Sequence, residues 1–180
     1  ANVNTIVENI PNDKIYFLPD KLMGQNLIEE MKKRGVKKDI QYYSGTCYVH
    51  EEYGTEEIFK IRTEYPQAKI VSHPECTPEV CKESDFVGST SQMLNYMRET
   101  QAKQFLMLTE CGLSSRLQVE FPDKQLVGSC TLCRYMKSNT LEDILRVLKN
   151  HTNRDRVIIP EETRQRAQKC IDAMFYYNKA

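Results

Sequence analysis

The stretch KIVSHPEC, residues 69–76, joins a short β-rich run directly to a polar turn. Lys69–Ser72 is predicted to form a strand, and a helical pattern follows the turn. The same layout recurs at Ser44–Cys47 and at Thr109–Cys111. Such repeats imply parallel strands joined by right-handed crossovers, which place ligand sites beyond the carboxyl ends of the strands. The sequence therefore predicts an α/β fold built from small three-layer αβα modules.

Outward from this stretch, short β-rich runs alternate with helical patterns along the whole chain. The other predicted strands are Lys14–Leu18, Ile40–Tyr43, Asp85–Val87, Gln104–Leu108, Gln125–Val127 and a candidate last strand at Val157–Ile159. The predicted helices are Gly24–Arg34, Thr55–Glu64, Thr90–Glu99, Gly112–Glu120, Thr140–Lys149 and one that starts at Pro160. We expect two domains, residues 1–88 and residues 89–180, with the last helix free to fold back onto the first domain.

The two C-terminal helical patterns each carry an apolar face that we expect to be buried. In the first, apolar residues recur at helical spacing and Thr140 stands as N-cap. In the second, proline and two carboxylates suit the first turn. The expected inner faces are Leu141, Ile144, Leu145 and Leu148 in the first, and Ala167, Cys170, Ile171 and Met174 in the second.

The charge balance and the short apolar runs exclude several classes of partner. Twenty-five basic residues balance twenty-five acidic residues, so no net field attracts nucleic acid or an anionic membrane surface. The apolar runs are too short to span a bilayer, and Ala1–Asn9 does not read as a secretory signal. We expect a cytoplasmic protein that binds neither nucleic acid nor membrane.

The cysteines point to metal or thiol chemistry rather than to a disulfide framework. There are seven, an odd number, in a chain long enough to fold without cross-links. Cys130 and Cys133 have the spacing of a zinc knuckle, a redox pair or cluster ligands, and their spacing alone does not choose between these. Cys81 and Cys170 lie on helical patterns and are expected to pack in the core.

Three further polar groups could carry chemistry, each with a plain structural alternative. His73 and Glu75, two apart on an extended segment, could hold and deprotonate one substrate, or the histidine could be satisfied by backbone. Gly88–Ser91, at a strand-to-helix junction, could bind carboxylate or phosphate, or could simply cap the helix. Cys47 and His50 could serve one centre, or could be a loop cysteine and a surface histidine.

Six segments in order resemble the quinolinate synthase family, which makes a precursor of NAD. The matching segments are Phe17–Asp20 (FLPD), Gly45–Glu51 (GTCYVHE), His73–Cys76 (HPEC), Asp85–Met93 (DFVGSTSQM), Thr109–Leu113 (TECGL) and Cys133–Lys137 (CRYMK). The resemblance implies an enzyme of the transferase type that condenses iminoaspartate with dihydroxyacetone phosphate and dehydrates the product to quinolinate. It also implies a [4Fe–4S] cluster held by three cysteines, with one iron left open to act as a Lewis acid.

By the same resemblance, particular residues take particular roles. Cys47 and Cys133 match two cluster ligands, and Cys130 is expected to be a nearby spare thiol. Glu75 matches the proton acceptor and His73 a hydrogen-bond donor to an intermediate. Substrate binding is expected from His50, His73, Glu75, Ser89 and Thr90.

Family members are longer, and the resemblance covers their C-terminal two-thirds. The third ligand is therefore expected from an N-terminal domain or subunit, although Cys76, Cys81 or Cys111 could in principle replace it. Two alternatives remain open at this point. The chain could be a non-catalytic relative that acts as a binding module, or a zinc-binding structural protein that uses Cys130 and Cys133.

Overall fold

The computed structural model describes residues 2–179 and has an α/β fold with parallel sheets, as predicted. The strands are β1 Lys14–Phe17, β2 Asp39–Tyr42, β3 Lys69–Ser72, β4 Phe86–Val87, β5 Gln104–Leu108 and β6 Gln125–Val127. The helices are α1 Val3–Asn9, α2 Lys21–Lys33, α3 Tyr48–Glu51, α4 Thr55–Glu64, α5 Pro78–Glu83, α6 Thr90–Glu99, α7 Cys111–Glu120, α8 Leu141–Lys149 and α9 Glu161–Tyr177.

The strands form two parallel sheets. One contains only β1 and β2, with α2 as the crossover between them. The other has the order β4-β3-β5-β6, in which each strand is joined to the next along the chain by one helix. β3 pairs with β4 on one side and with β5 on the other, so it lies inside the sheet. The carboxyl ends of these strands therefore meet at one edge.

The central strands are apolar on both faces because helices cover both sides of a parallel sheet. Val71 of β3 and Phe105 of β5 belong to a buried cluster with Met93 and Met97 of α6 and Leu117 of α7. The side chains that alternate with them, among them Ile70, Leu106 and Leu108, are also fully buried. Burial on both faces explains why these two strands are continuous apolar runs in the sequence.

Most element boundaries agree with the sequence prediction, and the differences have local causes. β3, β5, β6, α4 and α6 have the predicted bounds. α2 begins three residues early because the buried Asp20 caps it, with its side chain accepting a hydrogen bond from Met23 N. α5 was not predicted, although Thr77 caps it and Pro78 fits its first turn. α1 and α3 were also not predicted; they are too short to show a clear apolar period.

The chain divides into two compact units at a different place from the predicted division between residues 88 and 89. The first unit contains Pro11–Leu132, and the second contains Asn4–Ile10 together with residues 133–179. The predicted division lies within the larger sheet, because β3 pairs with strands on both sides of it. Continuous backbone pairing thus keeps this region in one unit.

The second unit leaves its apolar helix faces exposed, so the predicted burial of both faces is wrong for the described residues. Leu141 and Leu148 of α8 are 80% and 79% exposed, and Met174 of α9 is 48% exposed. Cys170 is also exposed rather than in the core. Periodicity predicted the two helices correctly, but burial also needs an opposing surface, which a periodic pattern does not reveal.

Two smaller findings complete the second unit. The predicted strand at Val157–Ile159 is not formed; these residues are exposed and pair with no strand among residues 2–179. Within the same unit, Asn9 Nδ2 of α1 donates to the carbonyl oxygen of Tyr177 at the end of α9, at 2.9 Å. None of the helices within residues 2–179 has both the length and the apolar character that crossing a bilayer requires.

Candidate active site

Three polar turns leave the carboxyl edge of the larger sheet side by side. The amide of His73 donates to Leu108 O at 3.2 Å, which joins the turn after β3 to the end of β5. The amide of Gly88 donates to Ser72 O at 3.1 Å, which joins the turn after β4 to the end of β3. The larger sheet thus brings the segments after β3, β4 and β5 to one edge, as predicted for those after β3 and β5. The predicted turn at Ser44–Cys47 follows β2, which belongs to the smaller sheet.

The turn that carries His73 and Glu75 is held in place by hydrogen bonds from α2. Asn26 Nδ2 donates to the carbonyl oxygens of Pro74 and Cys76, both at 2.8 Å. Within the turn, the amide of Cys76 donates to His73 O at 2.9 Å. Asn26 could not be identified from the sequence, because it is 48 positions away from Pro74 and only folding brings the two together.

Thiol, imidazole and carboxylate groups converge beside this turn. The ligand atoms of Cys47, His50 and Glu75 all lie within 4.8 Å of one another. His50 Nδ1 is 2.9 Å from Glu75 Oε2, and His73 Nδ1 is 3.7 Å from the same oxygen. The two imidazole rings are stacked with their centroids 4.3 Å apart. Four of the residues singled out from the sequence therefore share one partly buried site.

The environment fixes the charge state of both members of the His73 and Glu75 pair. Burial, reinforced by the neighbouring His50, lowers the pKa of His73 to about 4, although Glu75 opposes this shift. His73 is thus neutral near pH 7, with Nδ1 accepting a hydrogen bond from the Glu75 amide at 3.3 Å. Its proton is then on Nε2. The adjacent His50 lowers the pKa of Glu75, so that side chain is a carboxylate.

Cys47 is held in place by Asp20, which the sequence analysis gave no role of its own. One carboxylate oxygen of Asp20 accepts from the amide of Met23 at 2.7 Å, and the other accepts from the amide of Cys47 at 2.9 Å. Burial raises the pKa of Asp20, and the two amide donors partly offset that rise. An aspartate just before a helical pattern is the N-cap signal that could have identified it.

Replacing Asp20 with asparagine is expected to lower the free energy of unfolding by about 1–2 kcal/mol. Asparagine keeps one acceptor oxygen, so one of the two backbone amides loses its partner. The effect is measured by urea unfolding followed by circular dichroism. Asp123→Asn, at an exposed turn position, is the matched control. Equal stability of the two variants would contradict the double role of Asp20.

Ser89 and Thr90 begin α6 at the same sheet edge. The amide of Ser89 donates to Gln92 Oε1 at 2.9 Å, while Ser89 Oγ is buried and has no hydrogen-bond partner among residues 2–179. Thr90 lines a cavity of about 240 Å³ that also contains the Arg116 side chain. Hydroxyl groups, a helix N-terminus and a guanidinium in one place are suited to bind carboxylate or phosphate oxygens.

One disulfide corrects the sequence-based view of the cysteines. Cys111 is bonded to Cys130, so Cys130 is not a spare thiol and forms no redox pair with Cys133 in this structure. A zinc knuckle from Cys130 and Cys133 is equally incompatible with that bond. The disulfide ties the start of α7 to the loop after β6. No local pattern predicts this pairing, because the two residues are 19 positions apart.

Two tyrosines fix the segment that leads to Cys133. Tyr53 OH accepts from the amide of Thr131 at 3.0 Å and donates to Thr109 O. Tyr48, the residue after Cys47, donates from its hydroxyl to Leu132 O at 3.0 Å. Leu132 is the last residue of the first unit, and Cys133 is the first residue of the C-terminal part of the second.

Cys76 and Cys81 are occupied by structural contacts. Cys76 is fully buried and donates to Leu108 O, and burial raises the pKa of its thiol. Burial also raises the pKa of Cys81 to about 11, and its sulfur contacts the carbonyl oxygens of His73 and Cys76. Neither thiol is suited to serve as a metal ligand in this arrangement, because a ligand must be a thiolate.

Limited alkylation is expected to modify Cys76 and Cys81 much more slowly than the exposed Cys170. At about pH 8, only about one Cys81 side chain in a thousand is a thiolate. Iodoacetamide should therefore modify the exposed Cys170 first, and should modify Cys76 and Cys81 only after denaturant is added. Peptide mass spectrometry over a time course gives the order. Labelling of Cys76 in the native chain at the rate of Cys170 would contradict the described burial.

Comparison with known proteins gives a consistent match. A family model described as "Quinolinate synthetase A protein" matches residues 1–176. The quinolinate synthase of Trichodesmium erythraeum is 35% identical over 97% of this chain and 54% of the relative. That of Alkaliphilus metalliredigens is 35% identical over 97% of this chain and 56% of the relative. That of Caldicellulosiruptor saccharolyticus is 39% identical over 82% of this chain and 48% of the relative. The chain thus spans about half the length of these relatives.

Proposed function

Because the chain belongs to the quinolinate synthase family, we propose that it forms part of an enzyme that condenses iminoaspartate with dihydroxyacetone phosphate and dehydrates the product to quinolinate. The observation that carries the proposal is the convergence of Cys47, His50, His73 and Glu75 in one partly buried site. A thiol, a neutral imidazole and a carboxylate together suit metal-assisted proton transfer to and from a small substrate. A role in NAD biosynthesis also fits the cytoplasmic location, which stays a prediction.

The chain's own side chains have separable roles in this proposal. Glu75, held ionised by His50, accepts the proton that the substrate loses. His73 carries its proton on Nε2 and donates a hydrogen bond to a substrate oxygen. Ser89 Oγ and the first turn of α6 bind carboxylate or phosphate oxygens, and His50 holds Glu75 in place. Each role uses a group whose proton or lone pair is already oriented by a backbone or side-chain contact.

The residues present fit part of a [4Fe–4S] site. We propose Cys47 and Cys133 as two of its three thiolate ligands, because they match the cluster cysteines of the family that the chain belongs to. Cys76, Cys81 and Cys111 are committed to packing or to the disulfide, which favours a third ligand from the region of the relatives that this chain does not match. When bound, the cluster supplies an open iron position that polarises substrate oxygen.

Anaerobic reconstitution with iron and sulfide tests the proposal. The chain is treated alone and together with the separately produced N-terminal region of a relative, here called the complemented enzyme. We expect stable visible absorption of the cluster and quinolinate formation only in the complemented enzyme, because two thiolates hold a cluster weakly. If neither preparation takes up iron, the enzymatic proposal fails, and the alternative of a non-catalytic binding module is the one that fits.

A further inference from the structure

The contact between His50 and Glu75 has the geometry of two ligands rather than of a good hydrogen bond. His50 Nδ1 lies 2.9 Å from Glu75 Oε2, yet Nδ1 is buried and makes no hydrogen bond of acceptable angle with any described residue. The other ring nitrogen, Nε2, is 3.2 Å from Thr109 Oγ1. When Nε2 donates to that hydroxyl, the lone pair of Nδ1 faces the carboxylate. Two lone-pair atoms held this close need a proton or a metal ion between them, and a metal ion that binds here takes the place of the proton.

The remaining groups nearby supply a soft ligand and negative charge. Cys47 Sγ lies within 4.8 Å of both atoms. The carboxylate of Asp20 accepts a hydrogen bond from the amide of Cys47. It is also near enough to Glu75 for repulsion between the two carboxylates to contribute to the raised pKa of Asp20. No lysine or arginine contact is found for Glu75 among residues 2–179. Carboxylates at this place would attract a divalent cation.

We propose that Cys47 Sγ, His50 Nδ1 and the Glu75 carboxylate form a mononuclear zinc site within the first unit. One sulfur, one imidazole nitrogen and one carboxylate oxygen are all normal zinc ligands, with bonds of about 2.3 Å to sulfur and about 2.0–2.2 Å to nitrogen or oxygen. In a tetrahedral site such ligand atoms lie about 3.5 Å from one another, so side-chain movements of about 1 Å are enough to form it. Cys47 gives up its proton to solvent on binding.

Neighbouring side chains already hold the His50 ring in the orientation that a ligand needs. Thr109 orients the His50 ring through Nε2, and the stacked His73 ring supports it on one face. The Glu75 side chain is 21% exposed, which leaves the fourth position of the ion open to water. Three protein ligands and one water are the usual set for zinc that is not purely structural.

This site competes with the proposed iron–sulfur centre, because both use Cys47. The zinc site needs no residue of the second unit and no other chain. The cluster, in contrast, needs Cys133 and a third ligand. Zinc is therefore expected to occupy the 180-residue chain by itself and to block cluster assembly. This blocking effect rests on the proposed function, whereas zinc binding does not.

Metal titration of the 180-residue chain tests the inference. Cobalt(II) should give one tetrahedral centre per chain with a single thiolate charge-transfer band, and zinc should displace it stoichiometrically. Cys47→Ser, His50→Gln and Glu75→Gln should each weaken zinc binding at least about 100-fold, measured by competition with a chromophoric chelator. Cys133→Ser and Cys170→Ser should change it less than about threefold, because neither residue contributes a ligand.

A second measurement protects the test against variants that fold poorly. X-ray absorption at the zinc edge of the unmodified chain should show one sulfur and three nitrogen or oxygen ligands. Two or more sulfurs, loss of binding in Cys133→Ser, or the absence of stoichiometric binding would each overturn the inference. Zinc binding by the chain, together with no cluster after reconstitution of the zinc-free complemented enzyme, would leave the inference standing and count only against the proposed function.

Discussion

Glutamine at position 75 is expected to lower kcat of the complemented enzyme by about 10²–10⁴-fold, with a much smaller change in KM. The carboxylate is the group that we propose as proton acceptor, and the amide cannot take a proton. The shape of the side chain is otherwise preserved, as is the hydrogen bond that the backbone amide of residue 75 donates to His73 Nδ1. The measurement is steady-state quinolinate formation with each substrate varied in turn.

The control for this prediction is Glu79→Gln, an exposed carboxylate in the first turn of α5. It should keep kcat within about twofold, since surface substitutions change little. Glu75→Asp should recover part of the lost rate, because it restores a carboxylate with a shorter reach. A Glu75→Gln variant with unchanged kcat would show that another group accepts the proton.

Serine in place of Cys47 or Cys133 is expected to abolish the stable cluster of the complemented enzyme. Serine oxygen is a poor ligand for iron–sulfur clusters, so each change leaves at most two thiolates. Iron and sulfide content after desalting should fall to the background of the apoprotein, and the visible absorption should disappear. Quinolinate formation should be lost with it.

Cys170→Ser is the matched control, since this thiol is exposed on α9 and we give it no role. Full iron content in the Cys47→Ser variant would refute that ligand assignment. Cys81→Ser tests the claim that the buried thiols are structural. It should retain the cluster while it lowers the free energy of unfolding.

The sequence predicted best those features that depend on local pattern or on continuous burial. β3 and β5 had their predicted bounds because both are buried on two faces and their apolar runs are uninterrupted. The meeting of the turns after β3 and β5 also followed in outline, because turns after neighbouring parallel strands lie at one edge of their sheet. The approach of His50 did not follow from this rule, since it comes after β2 of the other sheet. The roles of individual residues came from the resemblance rather than from these patterns.

The features that the sequence did not predict depend on contacts between distant segments. The hydrogen bonds of Asn26 to the His73 turn and of Asp20 to Cys47 span 48 and 27 positions. The pairing of Cys111 with Cys130 likewise depends on how the loop after β6 is placed. The apolar stripe of α8 predicted a helix correctly, but a stripe alone does not tell which surface will cover it.

The position of β3 between two paired strands also affects the order in which parts of the protein unfold. Its amides are protected on both sides, so they should exchange with deuterium only in the rare events that open the whole sheet, whereas β4 and β6 can fray. The segment bearing His73 and Glu75 starts from this strand, which is paired on both sides. Warming or mild denaturant should therefore disturb the periphery first, and the reactive groups should keep their spacing until the first unit melts.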